Sequence, residues 1–513
     1  MSIYFYKEWP QADRLSQQLI NDEQPELIII SEHWPQDVNA ETPEGQKILC
    51  LLQQARAFWQ QQPVYACPFF KGKLLVIRPD VYEQWSAYNR CISSAVKHQP
   101  VKLKPWLTIP EQIPVQSVVV IGAGIAGAST AFALAQRNIA VTVIEQNEIA
   151  TAGSGNHQGL LYAKISPNPT AQTELLLSGY AYSLSLLKQT GAPRLDCGVL
   201  HLDFSADEQF RNQQLASKLP DSQLYQSVTS AQASKIAGID LPNGGLWWPF
   251  GVTANPRSVV QVLLAHPLIN VLTHSQVQQL AHNGDCWQVT YLRDGVEEVI
   301  HSSHIVICAG AQSNQLDPIV GWPLQVIRGQ TTTANPGDYA EGLKCALSGK
   351  SYITPVWQDK MCFGATFHPN NNDDTLTLSD EQINWQHLTE WLPALANDLQ
   401  QTTKPQGHAA LRCDAYDHLP VVGPIGDTKS MLDVYAKLKH DKNYPVTTPC
   451  PWLPGAFVNT AHGSRGLATA PLCAEAIAAA ILGLPSPLSA KLQQALHPNR
   501  LLIRTLTHYR HFK

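Results

Sequence analysis

Apolar and polar positions along this chain switch between the two-residue period of strands and the 3.6-residue period of helices. The sharpest succession begins at Val118-Val119-Val120-Ile121, a β-branched run. A glycine-rich turn and an alanine-rich helical segment follow, then a second run, Val141-Thr142-Val143-Ile144, closed by Glu145. Ahead of it, residues 3–6, 26–31 and 74–77 read as strands and 10–21 and 45–62 as helices, the latter with Ile48, Leu51, Leu52, Ala55 and Trp59 along one face. Behind it the pattern predicts a helix over 170–189 and short strands with loops over 194–250. Strands over 270–277 and 286–292 flank a turn. A buried strand from His304 runs into Cys308-Ala309-Gly310-Ala311. Strands at 351–355 and 361–367 make residues 323–420 a second, strand-rich layer. A last strand, 455–460, enters a glycine turn and a long alanine-rich helix that ends near Leu482.

The turn after Ile121 is Gly122-Ala123-Gly124-Ile125-Ala126-Gly127, and Glu145 stands eighteen residues beyond it. Strand, G-x-G-x-x-G, helix, strand and acid together are the dinucleotide-binding fingerprint. Gly122 allows the tight turn, Gly124 lets a pyrophosphate approach the backbone, and Gly127 lets the helix pack on the strand. The helix N-terminus offers free N–H groups to phosphate. Glu145 is placed to accept hydrogen bonds from ribose hydroxyls. The small-residue loop Ser154-Gly155-Asn156-His157-Gln158-Gly159 reads either as a cofactor-facing loop or as ordinary surface.

With 513 residues the chain is long for one core, and two or three domains are expected. A net charge of −5 does not advertise a nucleic-acid binder, although it can conceal a local basic patch. Such a patch is suggested at the end, where residues 491–513 carry Lys491, Arg500, Arg504, Arg510 and Lys513 without an acid. Eleven cysteines without a C-x-x-C pair or metal-like spacing read as reduced thiols, and no metal site is expected. The N-terminus lacks a signal-peptide layout, and no run of about 18 apolar residues is present. The expectation is a soluble, cytoplasmic protein with no membrane partner. Residues 97–114, with three lysines and four prolines, read as a linker.

Nucleotide-binding signals scattered over some 350 residues suit FAD better than NAD. The chain resembles FAD-dependent amine oxidases of the D-amino-acid, glycine and sarcosine oxidase type. The matching pieces are Gly122 to Gly127 with Glu145, Cys308-Ala309-Gly310, Leu411-Arg412 with Asp417-His418-Leu419-Pro420, and His462-Gly463-Ser464-Arg465-Gly466. Within that group, Gly155-Asn156-His157-Gln158-Gly159-Leu160-Leu161-Tyr162, Arg412-Cys413-Asp414-Ala415-Tyr416 and His497-Pro498-Asn499-Arg500-Leu501 resemble the oxidase half of the MnmC-type bifunctional tRNA-modification enzymes.

The resemblance, over about residues 113–505, implies an α/β fold: a Rossmann-like FAD-binding domain with a mostly antiparallel β-sheet substrate domain; ahead of it, residues 1–112 read from their own pattern as a small α/β unit. Within 113–513, FAD-binding segments fall at about 116–200, 251–320 and 455–490, and substrate segments at about 201–250 and 323–450. Cofactor contacts are implied for Gly122, Ala123, Gly124, Ile125, Ala126, Gly127 and Glu145, for Ser154, Gly155, Asn156, Gln158 and Gly159, for Val277, Ala309 and Gly310, and for Gly463, Ser464, Gly466 and Leu467. Residues 1–112 lack the glycine-rich methyl-donor loop of the family's other half, so no methyltransferase activity is expected, and a separate methyltransferase is a possible partner.

The implied reaction removes the carboxymethyl group from 5-carboxymethylaminomethyl-(2-thio)uridine at the wobble position of tRNA, giving the aminomethyl nucleoside, glyoxylate and peroxide. The group oxidised is a glycine whose nitrogen carries the nucleobase arm. Arg412 is implied as the clamp on its carboxylate, a task that suits the planar guanidinium fork, and Arg465 as a second arginine beside the flavin. Structural roles remain open for both. Cys413 reads as a buried free thiol rather than a covalent flavin link, and Tyr352 as either pocket lining or half-buried strand. The alternatives are an oxidase of free glycine-like or D-amino acids, and an RNA-binding protein that keeps flavin as a fold element.

Overall fold

The computed structural model describes residues 104–508, apart from 109, 169, 219–223, 403–405 and 485. Before them it describes 3–6, 9–19, 26–31, 39–49 except 44 and 47, 64–69 and 72–77. In this front part, Ile3–Tyr6, Glu26–Ile30 and Gly72–Ile77 pair in parallel, and Val64–Phe69 adds an antiparallel edge that the sequence pattern did not announce. Helix Ala12–Leu19 is present. Most of the helix expected over 45–62 lies outside the described residues.

Two large sheets follow. The first has six strands in the order Ile269–Leu272, Val141–Ile144, Val118–Ile121, His304–Ile307, Trp452–Thr460 and Val421–Gly426. The first five run parallel and the last is antiparallel. Its central strands are buried on both faces, as their unbroken apolar runs require. Val118 and Val120 point into one core and Val119 and Ile121 into the other. On the first face pack helices Ile125–Ala135, Ala171–Thr190 and Gly466–Ile481. A Cβ on Gly179 would stand 2.2 Å from the carbonyl oxygen of Ala468, so that helix crossing needs glycine. Arg137 and Glu475 form a buried ion pair at 2.6 Å across the same bundle, and Tyr182 donates to the carboxylate at 2.8 Å. On the other face lies a three-stranded sheet, Ser275–His282, Trp287–Arg293 and Val296–Ser302.

The second large sheet has nine strands and is almost wholly antiparallel. Its longest member, Leu324–Ala334, pairs along its length with Gln406–Ala415 on one side and with Met361–Gly364 and His368–Pro369 on the other. Helices Leu378–Trp391 and Pro393–Thr402 cover it. The mixed α/β architecture is therefore the one expected.

Particular elements differ. Val421–Gly426 was expected among the substrate segments and is instead the edge strand of the first sheet. Val199–Leu202 straddles the expected boundary at residue 200 and belongs to the second sheet. The single strand expected over 270–277 is two, broken at Thr273 and His274, where a φ of +52° turns the chain out of one sheet into another. Helices Ala206–Lys218 and Leu378–Trp391 were not anticipated.

Candidate active site

The parallel strands of the first sheet end at a cleft of about 800 Å³ that continues beneath the second sheet. This is the topological switch point of the fold: Val118–Ile121 leads to a helix on one side and its neighbour His304–Ile307 to another connection. Gly122 has φ +103°, and a Cβ there would meet the Cys308 carbonyl oxygen at 2.7 Å. On Gly127 a Cβ would stand 1.8 Å from the oxygen of Gly122, so helix and turn touch only because it is absent. The turn is rigid before any ligand arrives. Ala123 donates its N–H to Glu145 Oε2 at 2.8 Å, and Asn147 donates to Oε1 at 3.0 Å.

Gly122, Gly124, Ile125, Ala126 and Glu145 line the cleft. Ser154, Asn156, Gly159 and Val277 join them, as do Ala309 and Gly310 at the end of the neighbouring strand. The last contribution is Gly463, Ser464, Gly466 and Leu467, at the N-terminus of helix Gly466–Ile481. Two helix N-termini thus open on one cavity, and Ser154 Oγ accepts from the N–H of Ile125 at 3.0 Å.

Four residues expected at the cofactor do not reach the wall. Ala123 is fully buried, its N–H spent on Glu145, and Gly127 is buried behind the turn. Gly155 packs under the imidazole of His408. Gln158 faces away: its amide donates to the carbonyls of Trp357 at 2.9 Å and Lys360 at 3.2 Å and accepts from Thr354, tying the loop to a hairpin of the second sheet.

Arg412 and Arg465 both line the cleft. Arg412 enters from strand Gln406–Ala415, and among the described residues its guanidinium makes no hydrogen bond or ion pair. Burial lowers its pKa from the usual value while nearby Tyr352 opposes the shift. Arginine starts so high that the charge is kept. Arg465 is half-buried at the start of its helix, and burial again lowers its pKa, opposed by Tyr162 and Asp414.

His462 is held by side chains on both sides, with Thr469 at 2.9 Å and Asn459 at 3.0 Å, and burial pushes its pKa down to about 3. It is a neutral strut. Cys413 is buried, and burial pushes its thiol up to about 12. Tyr352 lines the cleft and donates to the carbonyl of Gln158 at 3.1 Å. Of the basic tail, Arg500 is spent on a two-pronged pair with Asp417 at 2.9 and 3.0 Å, Arg504 lies 3.9 Å over the Tyr416 ring, and Arg510 and Lys513 lie outside the described residues.

Sequence reasoning missed a polar wall. Tyr162 shares a hydrogen bond with Ser348 at 2.7 Å, and Lys164 pairs with Glu208 at 3.1 Å. Glu208 also meets His201 at 3.0 Å and Arg211 at 2.5 Å. Although burial raises the Glu208 pKa, hydrogen bonds from His201 and Lys164 and the Arg211 charge outweigh it and hold the group at about 2. The signal available was the two-residue alternation of Tyr162 and Lys164 beyond Gly159.

Residues 117–480 match the family described as FAD dependent oxidoreductase. The chain belongs to this family. The cofactor of such an oxidoreductase is FAD, and a rigid glycine turn, two helix N-termini and a cavity of this size fit it. Among curated proteins, the bifunctional protein MnmC of tRNA 5-methylaminomethyl-2-thiouridine biosynthesis from Pseudomonas putida (strain GB-1) is 37% identical over 438 residues, 83% of this chain and 66% of that protein. The protein of the same name from Chromobacterium violaceum is 38% identical over 412 residues, 78% of this chain and 62% of its own length. The chain therefore spans just under two thirds of these relatives. Among solved structures, glycine oxidase from Geobacillus kaustophilus superposes with a TM-score of 0.62 at 17% identity, covering 75% of this chain and 98% of that one. L-proline dehydrogenase from P. horikoshii gives 0.59 at 19% identity, covering 76% and 98%. These likenesses concern the fold. Among the described residues this oxidoreductase has no cluster able to hold a metal ion and no helix long and apolar enough to cross a membrane.

Proposed function

We propose that this oxidoreductase removes the carboxymethyl group from 5-carboxymethylaminomethyl-(2-thio)uridine at the wobble position of tRNA, leaving the 5-aminomethyl nucleoside and glyoxylate. The observation that carries the reading is Arg412, a half-buried cation in the flavin cleft without an anionic partner among the described residues. A charge drawn partly out of water is costly until it is paired, so a ligand carboxylate would complete the site. The names borne by its curated relatives supply the rest of the substrate.

In this reading Gly122, Gly124 and the two helix N-termini hold the pyrophosphate, and Glu145 the ribose. FAD, when bound, supplies the two-electron acceptor. Arg412 grips the carboxylate with both prongs and so fixes the methylene between carboxylate and nitrogen. Arg465, also on the cleft wall, adds positive field there. His462, neutral, holds the glycine turn in place and moves no proton. The product is a primary amine, so a separate methyltransferase would act after it, in the cytoplasm where tRNA is modified.

Peroxide release is the direct test. tRNA bearing the modified uridine should support it, and free glycine and sarcosine should not at equal concentration. Turnover of the free amino acids alone would replace the reading with that of a small-amine oxidase.

A further inference from the structure

Several large apolar side chains are well exposed, but among the described residues Phe367 alone of them lines the cleft; it is 58% exposed. Its backbone is not free. Thr366 donates through Oγ1 to Asp380 Oδ2 at 3.1 Å, and His368 Nε2 lies 2.8 Å from Asp380 Oδ1. Both neighbours of Phe367 are therefore tied to one buried carboxylate. Asp380 stands in the first turn of helix Leu378–Trp391, where the helix dipole favours an anion, and is neutralised by an ion pair to the buried Arg328. Thr366 also accepts from the N–H of Gln330 at 3.0 Å.

Thr366 and Phe367 both line the cleft, and the exposed Phe367 ring stands there between two residues whose side chains are tied to Asp380. His368 pairs across the sheet with Arg328, one residue before Gly329. Gly329 is the residue under the Arg412 guanidinium, where a Cβ would stand 2.4 Å from Nη1. An exposed ring on a pinned backbone and an unpaired cation thus line one cleft.

We propose that Phe367 is the platform on which the pyrimidine ring of the substrate stacks while Arg412 holds its carboxylate. The inference rests on the tRNA reading above and adds the residue that recognises the ring. Stacking needs a flat aromatic face and little else, which suits a base swung out of its strand. A rigid mount spares the ordering cost a loop residue would bring.

The test is steady-state kinetics of the holoenzyme on an anticodon stem-loop bearing the carboxymethylaminomethyl uridine. Phe367→Ala and Phe367→Leu should each raise KM about 5- to 150-fold, the range for loss of one base–aromatic stack. Flavin content should stay at the wild-type level and kcat should change little. Phe367→Tyr should restore KM, which a merely structural role for the apolar bulk would not require. A Phe367→Leu enzyme with wild-type KM would overturn the stack. Loss that falls on kcat or flavin content instead of KM would overturn it as well, by assigning the residue to the fold. If the wild-type enzyme turns over the stem-loop, those outcomes judge Phe367 alone. A wild-type enzyme that leaves it untouched refutes the substrate reading and this inference with it.

Discussion

The Arg412 guanidinium lies against Gly329, its diagonal neighbour on the paired strand, so closely that a Cβ on Gly329 would fall 2.4 Å from Nη1 and 2.6 Å from Cζ. The pocket for the cation is the missing side chain of a glycine. The clash would be with the far end of a flexible side chain, which can swing away, so Gly329→Ala should cost little stability. It should cost much activity. A clamp displaced by about 1 Å typically loses about 100-fold in rate. Arg412→Ala removes contacts worth roughly 2 to 4 kcal/mol, from charged hydrogen bonds of about 1.5–3 kcal/mol each, or about 30- to 1,000-fold in kcat/KM. Arg412→Lys should recover only part, because a point charge cannot reproduce the fork. Both variants should keep FAD and wild-type Tm. Kinetics near wild type for Gly329→Ala and Arg412→Ala would remove the clamp.

A second prediction concerns the link to flavin. Only a thiolate forms thioethers readily, and burial pushes the Cys413 thiol up to about 12, far from ionised at neutral pH. Acid precipitation should leave all the flavin in the supernatant. Yellow colour retained in the pellet would contradict a neutral Cys413.

The third concerns acid stability. Burial lowers the pKa of both His462 and His497 to about 3, with Arg500 adding to the effect at His497. Unfolded, each returns to about 6.5. Between those values the unfolded chain binds protons that the folded one refuses, so stability is complete above about pH 6.5 and falls as pH drops toward 3. The slope is about 1.4 kcal/mol per pH unit for each histidine. Among the described residues Nε2 of His497 has no hydrogen-bond partner, so His497→Leu forfeits little there. Tm measured from pH 7 to pH 5 should fall less steeply in His497→Leu than in wild type. Parallel curves would contradict the assignment.

What was legible in the sequence was local. Gly122 to Gly127, the two valine-rich strands and the glycine turn at 463–466 announce themselves because each need is met within a few residues. Gly329 could not be read, since what demands it is a guanidinium eighty-three positions away in the chain. Helix Leu378–Trp391 was missed for a related reason: its buried face includes Asp380 and Asn384 beside Leu388, so the apolar period is broken where Asp380 meets Arg328. Helix Ala206–Lys218 buries only Asn212 and Leu215 and carries almost no period. Gln158 was misjudged because a small-residue loop shows which segment nears the cleft but not which way each side chain turns.

The measurement that bears most directly on the account is mass analysis of wobble nucleosides from tRNA incubated with the purified protein and oxygen. Substrate tRNA should come from cells that accumulate the carboxymethylaminomethyl form, and S-adenosylmethionine should be present. The account predicts that this nucleoside disappears and that the 5-aminomethyl nucleoside replaces it one for one, with glyoxylate formed in equal amount and no methylated product. An unchanged nucleoside, with the protein holding FAD and oxidising a free amino acid instead, would contradict it.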